Sequence, residues 1–388
     1  MRVLLLAHRL PYPLESGQNL RLYHLARNLA QRHEIGLLSF GLPPYPAALH
    51  AVFQRIATCP VPLADPSASI ARRLARALDP SELVPIDPAM ADLVASTTAA
   101  FRPDVVWVGG WDMLVYRDRL GPVRVVADLM DDGVLEWLRA VRHARGARAL
   151  ALAIRRLLQT FRWERRYFPQ ADVCTFVSPL DAAWARRVVP GLAAEVVENG
   201  VDTDYFAPLG LDEEFPSLVF EGNQSFPPNA DAAGFLVRRV LPIVHRAYPQ
   251  CRLYIVGRDP APATQALASS HVVVTGRVDD VRPYLERASL FVCPMRLGAG
   301  IKNKILQAWA MARPVVATST AAGGLRVTPG ENIVVADGAR RLAAEIVRLL
   351  GDDVRRRQLG KLGREAALAH YTWWRQAALM EHVLGGGR

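Results

Sequence analysis

The sequence predicts an α/β fold built on parallel sheets and divided into two domains, and three observations carry that prediction. Short apolar runs rich in Val, Leu and Ile recur along the chain, each followed by a stretch of helical character. That is the pattern of strands buried on both faces and joined by helical crossovers. The series is interrupted at about 199–216, where the composition turns to Gly, Asp, Pro and Glu, and then begins again. With 388 residues, 51% of them hydrophobic and 22% charged, the chain is long enough for two cores.

The elements follow in order. MRVLLLAHRLPYP opens with a strand at 2–7; its apolar run is only five or six residues and no small-residue cleavage site follows, which sets aside a signal peptide. A helical stretch spans 18–32, with Ser16 as N-cap, Gly17, Gln18 and Asn19 at its start and Arg21 one turn in. The next strand signal is 35–40. The proline-rich stretch 42–66 reads as a loop over the open face of the first domain. A helix at 86–101 leads to strands at 104–109 and 123–128, then to Asp128, Asp131, Asp132 and Trp137. Carboxylates at a strand's C-terminal end face the crevice of an open α/β sheet, where ligands bind, although capping or a solvated loop would use the same residues. Residues 146–168 read as a basic amphipathic helix, and strands at 172–177 and 195–198 complete the first series. The second runs 217–222, 251–257, 271–275, 289–294 and 314–318, and a last helical stretch covers about 373–384. The expected domains are 1–205 and 206–370, with 371–388 as a terminal helix. No period of 20–50 residues repeats, which excludes solenoids and propellers.

Residues 294–318, PMRLGAGIKNKILQAWAMARPVVAT, carry the chemistry. Gly298 and Gly300 let backbone approach phosphate oxygens with no Cβ in the way, and a helix from about Ile301 aims its free N–H groups and positive dipole end at an anion. Arg296 and Lys304 add full charges. Arg313-Pro314 closes the helix and VVAT returns to a buried strand. Glycine before a helix also serves tight packing, and the spacing is neither the P-loop pattern nor GxGxxG.

Other classes are set aside by composition. No window approaches the roughly 18–20 uncharged apolar residues of a membrane span. Cys59, Cys174, Cys251 and Cys293 are scattered without CxxC spacing, which argues against disulfides and zinc and for a reducing cytoplasm. His8, His24 and His33 have no partner at triad-like spacing, and Ser178 has no nucleophile elbow. The formal charge of +10 points to an anionic partner. Much of the excess lies in Arg139, Arg142, Arg145, Arg148, Arg155, Arg156, Arg162, Arg165 and Arg166, interleaved with Leu150, Leu152, Ile154, Leu157, Leu158, Phe161 and Trp163. Such a helix suits an anionic lipid surface, each charge contributing about 1 kcal/mol; a solvated basic face is the plainer reading. No nucleic-acid-binding module accompanies the charge, so nucleic acid is not expected.

The segment 294–318 resembles the donor site of retaining glycosyltransferases of family 4. The resemblance is closer still to the subgroup associated with exosortase (PEP-CTERM) exopolysaccharide systems, whose Arg-Gly-Ile-x-Asn-Lys-x-Leu-Glu-Ala is matched here by Gly300, Ile301, Asn303, Lys304, Leu306 and Ala308. Further matches run along nearly the whole chain: LPYPLESGQNLRLYHLARNL, VVENGVDTDYFAP at 196–208, FEGNQSFPPNADAAGF at 220–235, LYIVGRDP at 253–260 and VTGRVDDVRPYLERASLFVCP at 274–294. The resemblance implies the GT-B fold, with two Rossmann-like domains facing a cleft and the terminal helix crossing back to the first. It implies transfer of a sugar from a nucleotide-diphosphate donor to a lipid-linked polysaccharide precursor at the inner face of the membrane, with no cofactor or metal. On the donor side it implies Arg296, Gly298, Gly300, Ile301 and Lys304 at the diphosphate, with Arg296 and Lys304 catalytic. Gln307 would meet the ribose and Gly276, Arg277 and Val278 the base, with Gly17 and Asn223 as further donor contacts. Gln18, Asn19, Arg21, Asp128 and Asp131 fall to the acceptor. The family's two glutamates would stand at Ala299 and Gln307, and their loss leaves a weakened sugar-nucleotide-binding protein as an alternative, beside a nucleotide-sugar epimerase of the same fold.

Overall fold

The computed structural model describes residues 1–61, 83–144, 146–298 and 300–387. Arg145, Ala299 and the part of the proline-rich stretch beyond residue 61 lie outside them. The chain forms two compact units, residues 1–198 with 373–388 and residues 199–372.

The first unit holds a seven-stranded parallel sheet in the order β3-β2-β1-β4-β5-β6-β7. Its strands are β1 (Arg2–Arg9), β2 (Glu34–Phe40), β3 (Arg55–Cys59), β4 (Val105–Gly109), β5 (Arg124–Met130), β6 (Val173–Phe176) and β7 (Ala194–Val196). The central strands are legible in sequence because both faces are covered: Val3 to Ala7 and Val105 to Val108 are at most 1% exposed. β3 and the short helix Ala47–His50 fall where a loop was expected. The prolines there flank the strand, and its residues pair with β2 from Gly36 opposite Arg55 to Phe40 opposite Cys59, at the sheet edge where prolines are tolerated. The first helix, Gly17–Leu29, is capped by Ser16, whose hydroxyl accepts from Asn19 N–H. The terminal helix Trp373–Leu384 packs beside it, with Trp373 stacked on His24 at 5.2 Å and Ala377, Met380 and Leu384 in the same core.

The second unit repeats the plan with six parallel strands in the order β10-β9-β8-β11-β12-β13. These are β8 (Glu214–Glu221), β9 (Arg252–Val256), β10 (Val272–Gly276), β11 (Ala288–Cys293), β12 (Val315–Ala317) and β13 (Val334–Val335). In each sheet the chain order reverses at one place, between β1 and β4 and between β8 and β11. Loops leaving the C-terminal ends of such strand pairs diverge and open a crevice for a ligand. The two candidate sites lie at these ends.

Candidate functional site

In the second unit the crevice is built by the loops after β8, β9 and β11. Gly222 has φ +145° and Gly257 φ +140°; a Cβ on Gly257 would stand 2.0 Å from the Gly222 carbonyl oxygen, so only glycine allows these strand ends to meet. After β11 the chain turns through Gly298 and Gly300, both left-handed at φ +103° and +66°. It enters the helix Asn303–Ala310 from Lys302 in the capping position. The helix therefore starts two residues later than its sequence suggested, and Ile301 belongs to the loop.

Lys304, on the first turn of that helix, reaches back to the loop after β8. Its ammonium donates to the Glu221 carbonyl at 2.7 Å and to Asn229 Oδ1 at 2.8 Å, and stands 4.7 Å over the Phe220 ring. A Cβ on Gly222 would come within 2.5 Å of Nζ. A positive charge, a helix N-terminus and three glycines thus converge at the switch point of the sheet, a combination whose chemistry suits an anionic group. Burial pushes the Glu221 carboxyl up, against the pull of Lys304.

Lys302 is a residue that the sequence reading passed over. It is only 8% exposed and its ammonium donates to the Gly300 carbonyl at 3.0 Å, bracing the glycine loop from below. Two lysines at i and i+2 beside GxG are the available signal, but only the helix start decides which of them faces β8.

The remaining donor-side residues divide. Gly276, at φ +69°, ends β10 and its carbonyl accepts from Gly257 N–H at 3.2 Å, so the loop with Arg277 and Val278 borders the same crevice. Gln307 is half-buried one turn after Lys304, and among the described residues nothing hydrogen-bonds its side chain. Arg296 is engaged elsewhere: its guanidinium forks onto Asp231 at 2.6 and 3.0 Å and lies 4.5 Å over Phe235, so it meets a phosphate only by leaving that carboxylate. Asn223 spends its carboxamide oxygen on Ser225, whose N–H and hydroxyl donate at 3.0 and 2.8 Å, so that side chain shapes the turn. Asn199, from the NGVD motif, donates to Asn303 Oδ1 at 3.1 Å and ties the start of this unit to the helix.

In the first unit the acceptor candidates separate into two groups. Arg21 and Asp128 were expected at an acceptor, and the structure corrects both. Each side chain is 0% exposed; Arg21 grips both carboxylate oxygens at 2.9–3.0 Å, donates on to the Glu198 carbonyl at 3.0 Å, and Thr175 adds a fourth contact to Asp128 at 2.8 Å. The pair is saturated and fastens the first helix to β5 and β6. Asn19 likewise holds its own loop, donating to the Pro13 carbonyl at 2.8 Å, and Gly17 opens the helix.

Gln18 and Asp131 do come together, with Trp137, in the wall of a cavity of about 270 Å³. Gln18 is aimed by its bond to the Gly109 carbonyl at 2.9 Å. Trp111, Asp112, Glu136, Trp163 and Glu164 also line the cavity. Beside it two carboxyls are buried. Burial pushes Asp132 up to about 6 and nearby Asp181 adds to the rise, while the Leu135 N–H that it caps at 2.6 Å works against both. Burial, and then Asp132, hold Glu164 well above the usual carboxylate range. Met130, which ends β5, takes a left-handed φ of +65°, a conformation that residues other than glycine adopt rarely. Among the described residues no cluster of three or more His, Cys, Asp and Glu could hold a metal, and no helix is long and apolar enough to cross a membrane.

Residues 216–352, most of the second unit, match the family described as glycosyl transferases group 1. A GDP-mannose-dependent alpha-(1-6)-phosphatidylinositol monomannoside mannosyltransferase of Mycolicibacterium smegmatis is 31% identical over 252 residues; the match covers 58% of this chain and 65% of that protein, a little under two thirds. Among solved structures, sucrose-phosphate synthase of Thermosynechococcus elongatus superposes with a TM-score of 0.73 at 19% identity, covering 99% of this chain and 98% of that one. Anabaena HepE in complex with UDP superposes at 0.70 and 16% identity over the full length of both. The fold is GT-B.

Proposed function

We propose that this chain is a retaining glycosyltransferase that moves a sugar from a nucleotide-diphosphate donor to a lipid-linked glycan precursor. The observation that carries the reading is the convergence of Gly222, Gly298, Gly300, the N-terminus of helix Asn303–Ala310 and Lys304 at the switch point of the second sheet. In such a transfer the sugar leaves a diphosphate on which negative charge grows. A cation and N–H groups already fixed in place stabilise that charge without reorganising. Lys304 and the first turn of the helix do this; Arg296 adds its charge if the diphosphate displaces Asp231. Gln307 meets the ribose and the loop Gly276, Arg277 and Val278 borders the base. The match of this unit to group 1 glycosyl transferases supports the donor class. Thermal unfolding with UDP, GDP, ADP and dTDP tests it, since a nucleotide that binds the native state alone raises its stability in proportion to RT ln(1 + [L]/Kd). No shift with any of the four removes the donor reading.

The lipid-linked acceptor rests on the helix Ala147–Tyr167. Leu150, Ile154, Leu158 and Phe161 recur at steps of four and three and are 38–44% exposed, so they form one apolar stripe on the outer face. Arg148, Arg155, Arg162 and Arg166 recur on the adjoining stripe, and Arg165 lies 5.7 Å over Phe161. An apolar stripe bordered by arginines complements an anionic lipid surface, and the relative from Mycolicibacterium smegmatis is named for a phosphatidylinositol glycan. From the sequence resemblance we further propose the inner face of the cell membrane as the setting and exopolysaccharide assembly of the exosortase-associated kind as the pathway. Flotation with anionic vesicles tests the surface. Replacing Arg155, Arg156, Arg165 and Arg166 with Gln releases the protein, and equal binding by parent and variant at low and high salt removes the membrane reading.

The departure at Gln307 favours a second reading, a binding protein with little turnover. Hydrolysis or transfer of a radiolabelled donor that binds separates the two.

A further inference from the structure

We propose that the cavity beside β5 is a subsite for one uncharged, hydroxylated six-membered ring, taken up against Trp111 and Trp137 and recognised by Gln18, Asp131 and Glu164. This deepens the transferase reading, of whose acceptor the ring is the sugar end. The cavity lies within the first unit and its volume of about 270 Å³ sits near the roughly 300 Å³ at which small-molecule sites begin, room for a single ring.

The chemistry of the wall selects the occupant. Two indoles, Trp111 at 41% exposed and Trp137 half-buried, offer flat apolar faces of the kind that cover the C–H face of a sugar ring. Trp163 closes the far side, its ring edge-to-face with Trp111 at 5.0 Å. Polar groups converge between these faces. Gln18 comes from the first helix, Asp131 from the end of β5, and Glu136 and Glu164 from the two helices that follow. Glu164 supplies the independent sign of a ligand. It is 2% exposed; Oε1 accepts from Val134 N–H at 3.2 Å, and Oε2 is buried with no hydrogen-bond partner. A buried oxygen left unpaired costs about 1–3 kcal/mol, a cost that a ligand hydroxyl removes. Gly133 keeps the floor open, because a Cβ there would stand 2.8 Å from Thr160 and 3.1 Å from Glu164 Oε1.

Charge excludes the alternatives. Among the described residues the wall carries Asp112, Asp131 and Glu136 and no Lys, Arg or His, so a uronate or a phosphorylated sugar finds no cation to pair with there. A cationic ring finds its counter-charges already engaged: Asp112 pairs with His8 at 2.9 Å, and Asp131 and Glu136 have partners. Burial, and then Asp132, push the Glu164 carboxyl up and so favour its neutral, protonated form, which can both donate to and accept from a ring hydroxyl.

Saturation-transfer NMR on the full-length protein tests the assignment with four probes: methyl α-D-glucopyranoside, methyl α-D-mannopyranoside, methyl glucuronide and glucosamine. The expected result is transfer to at least one neutral glycoside, weaker transfer to the glucuronide and glucosamine, and a loss of at least fivefold in Trp137→Ala. Glu164→Gln, which keeps both a donor and an acceptor, retains the signal, and Glu164→Leu loses it. Trp137 is partly exposed, so its variant folds even where a Glu164 variant does not, and circular dichroism checks each. The proposal is overturned if no neutral glycoside binds, if a charged probe binds as well or better, or if Trp137→Ala binds as the parent does. Calorimetry with UDP and GDP on the same samples keeps the two readings apart. Nucleotide binding with no ring binding leaves the donor site standing and sinks this one, and ring binding without nucleotide does the reverse.

Discussion

Asp128→Asn is the substitution that best separates a structural role from a ligand-binding one. Arg21 sits at 0% exposure with three of its N–H groups committed to the Asp128 carboxylate and its neighbours at 2.9–3.0 Å. Asparagine removes the charge and turns one of the accepting oxygens into a donor facing the guanidinium, so Arg21 stays charged and buried without its carboxylate. Breaking one side of a buried pair in this way costs about 3–5 kcal/mol. For a unit of this size, at about 2–4 °C per kcal/mol, the melting transition of the first unit falls by about 6–20 °C. Differential scanning calorimetry on the parent, on Asp128→Asn and on the double variant Arg21→Met with Asp128→Leu measures it. The double variant removes both charges and recovers most of the loss, because a well-packed apolar pair stands in for a buried ion pair at little or no cost. A single variant that melts within about 2 °C of the parent refutes the argument. The carboxylate would then be solvated, and its place at the acceptor restored.

Three further outcomes follow from the same contacts. Lys304→Ala lowers turnover by a factor on the order of 10². It also lowers the melting temperature, because the Glu221 carbonyl and Asn229 Oδ1 both lose their donor; an unchanged rate would remove the lysine from the diphosphate. Gln307→Glu restores a charged acceptor and tightens nucleotide binding by about 1 kcal/mol, read by calorimetry, whereas weaker binding would place the side chain away from the ribose. Asp132, pushed up to about 6 from an unfolded value near 3.8, keeps its proton in the folded protein after the unfolded chain has lost it. Its contribution is therefore full below about pH 4 and is lost as pH rises through 6. Asp132→Asn keeps the helix cap, flattens the dependence of melting temperature on pH between 4 and 7, and at pH 8 is the more stable protein by up to about 3 kcal/mol; parallel curves for parent and variant would contradict this.

Where chain-local features set the structure, the sequence was readable. Strands buried on both faces announce themselves as apolar runs, and the glycine loop of the candidate donor site is legible because glycines, lysine and helix start are contiguous in the chain. Pairing between distant segments was not. Arg21 and Asp128 are 107 positions apart, and only the parallel register of β1, β4 and β5 brings the first helix over that carboxylate. A hint existed, since Arg21 shares its helix face with Leu22, Leu25 and Leu29, where a lone cation needs a buried partner. The partner of Arg296 was hidden in the same way: its spacing from the glycines is right, but Asp231 arrives from another helix and holds the guanidinium in this structure. β3 was hidden by prolines that bracket it without entering the ladder.

The helix Ala147–Tyr167 joins both readings of the first unit, and its two faces allow them to be tested apart. Thr160, Trp163 and Glu164 turn inward to the cavity, while Leu150, Ile154, Leu158 and Phe161 turn outward. At 3.6 residues per turn Phe161 and Glu164 are only about 60° apart around the axis, so the lipid-facing stripe and the ring-binding wall meet along one edge of the helix. An acceptor with a sugar end and a lipid end would meet the two in succession along one helix. Outward changes such as Leu158→Ser and Phe161→Ser then weaken vesicle binding and leave methyl glycoside binding intact. Trp137→Ala, across the cavity from the stripe, does the reverse. Were the outward changes to abolish glycoside binding in the absence of vesicles, the stripe would be packing that holds the cavity together, and the case for a lipid surface would lose its geometric footing.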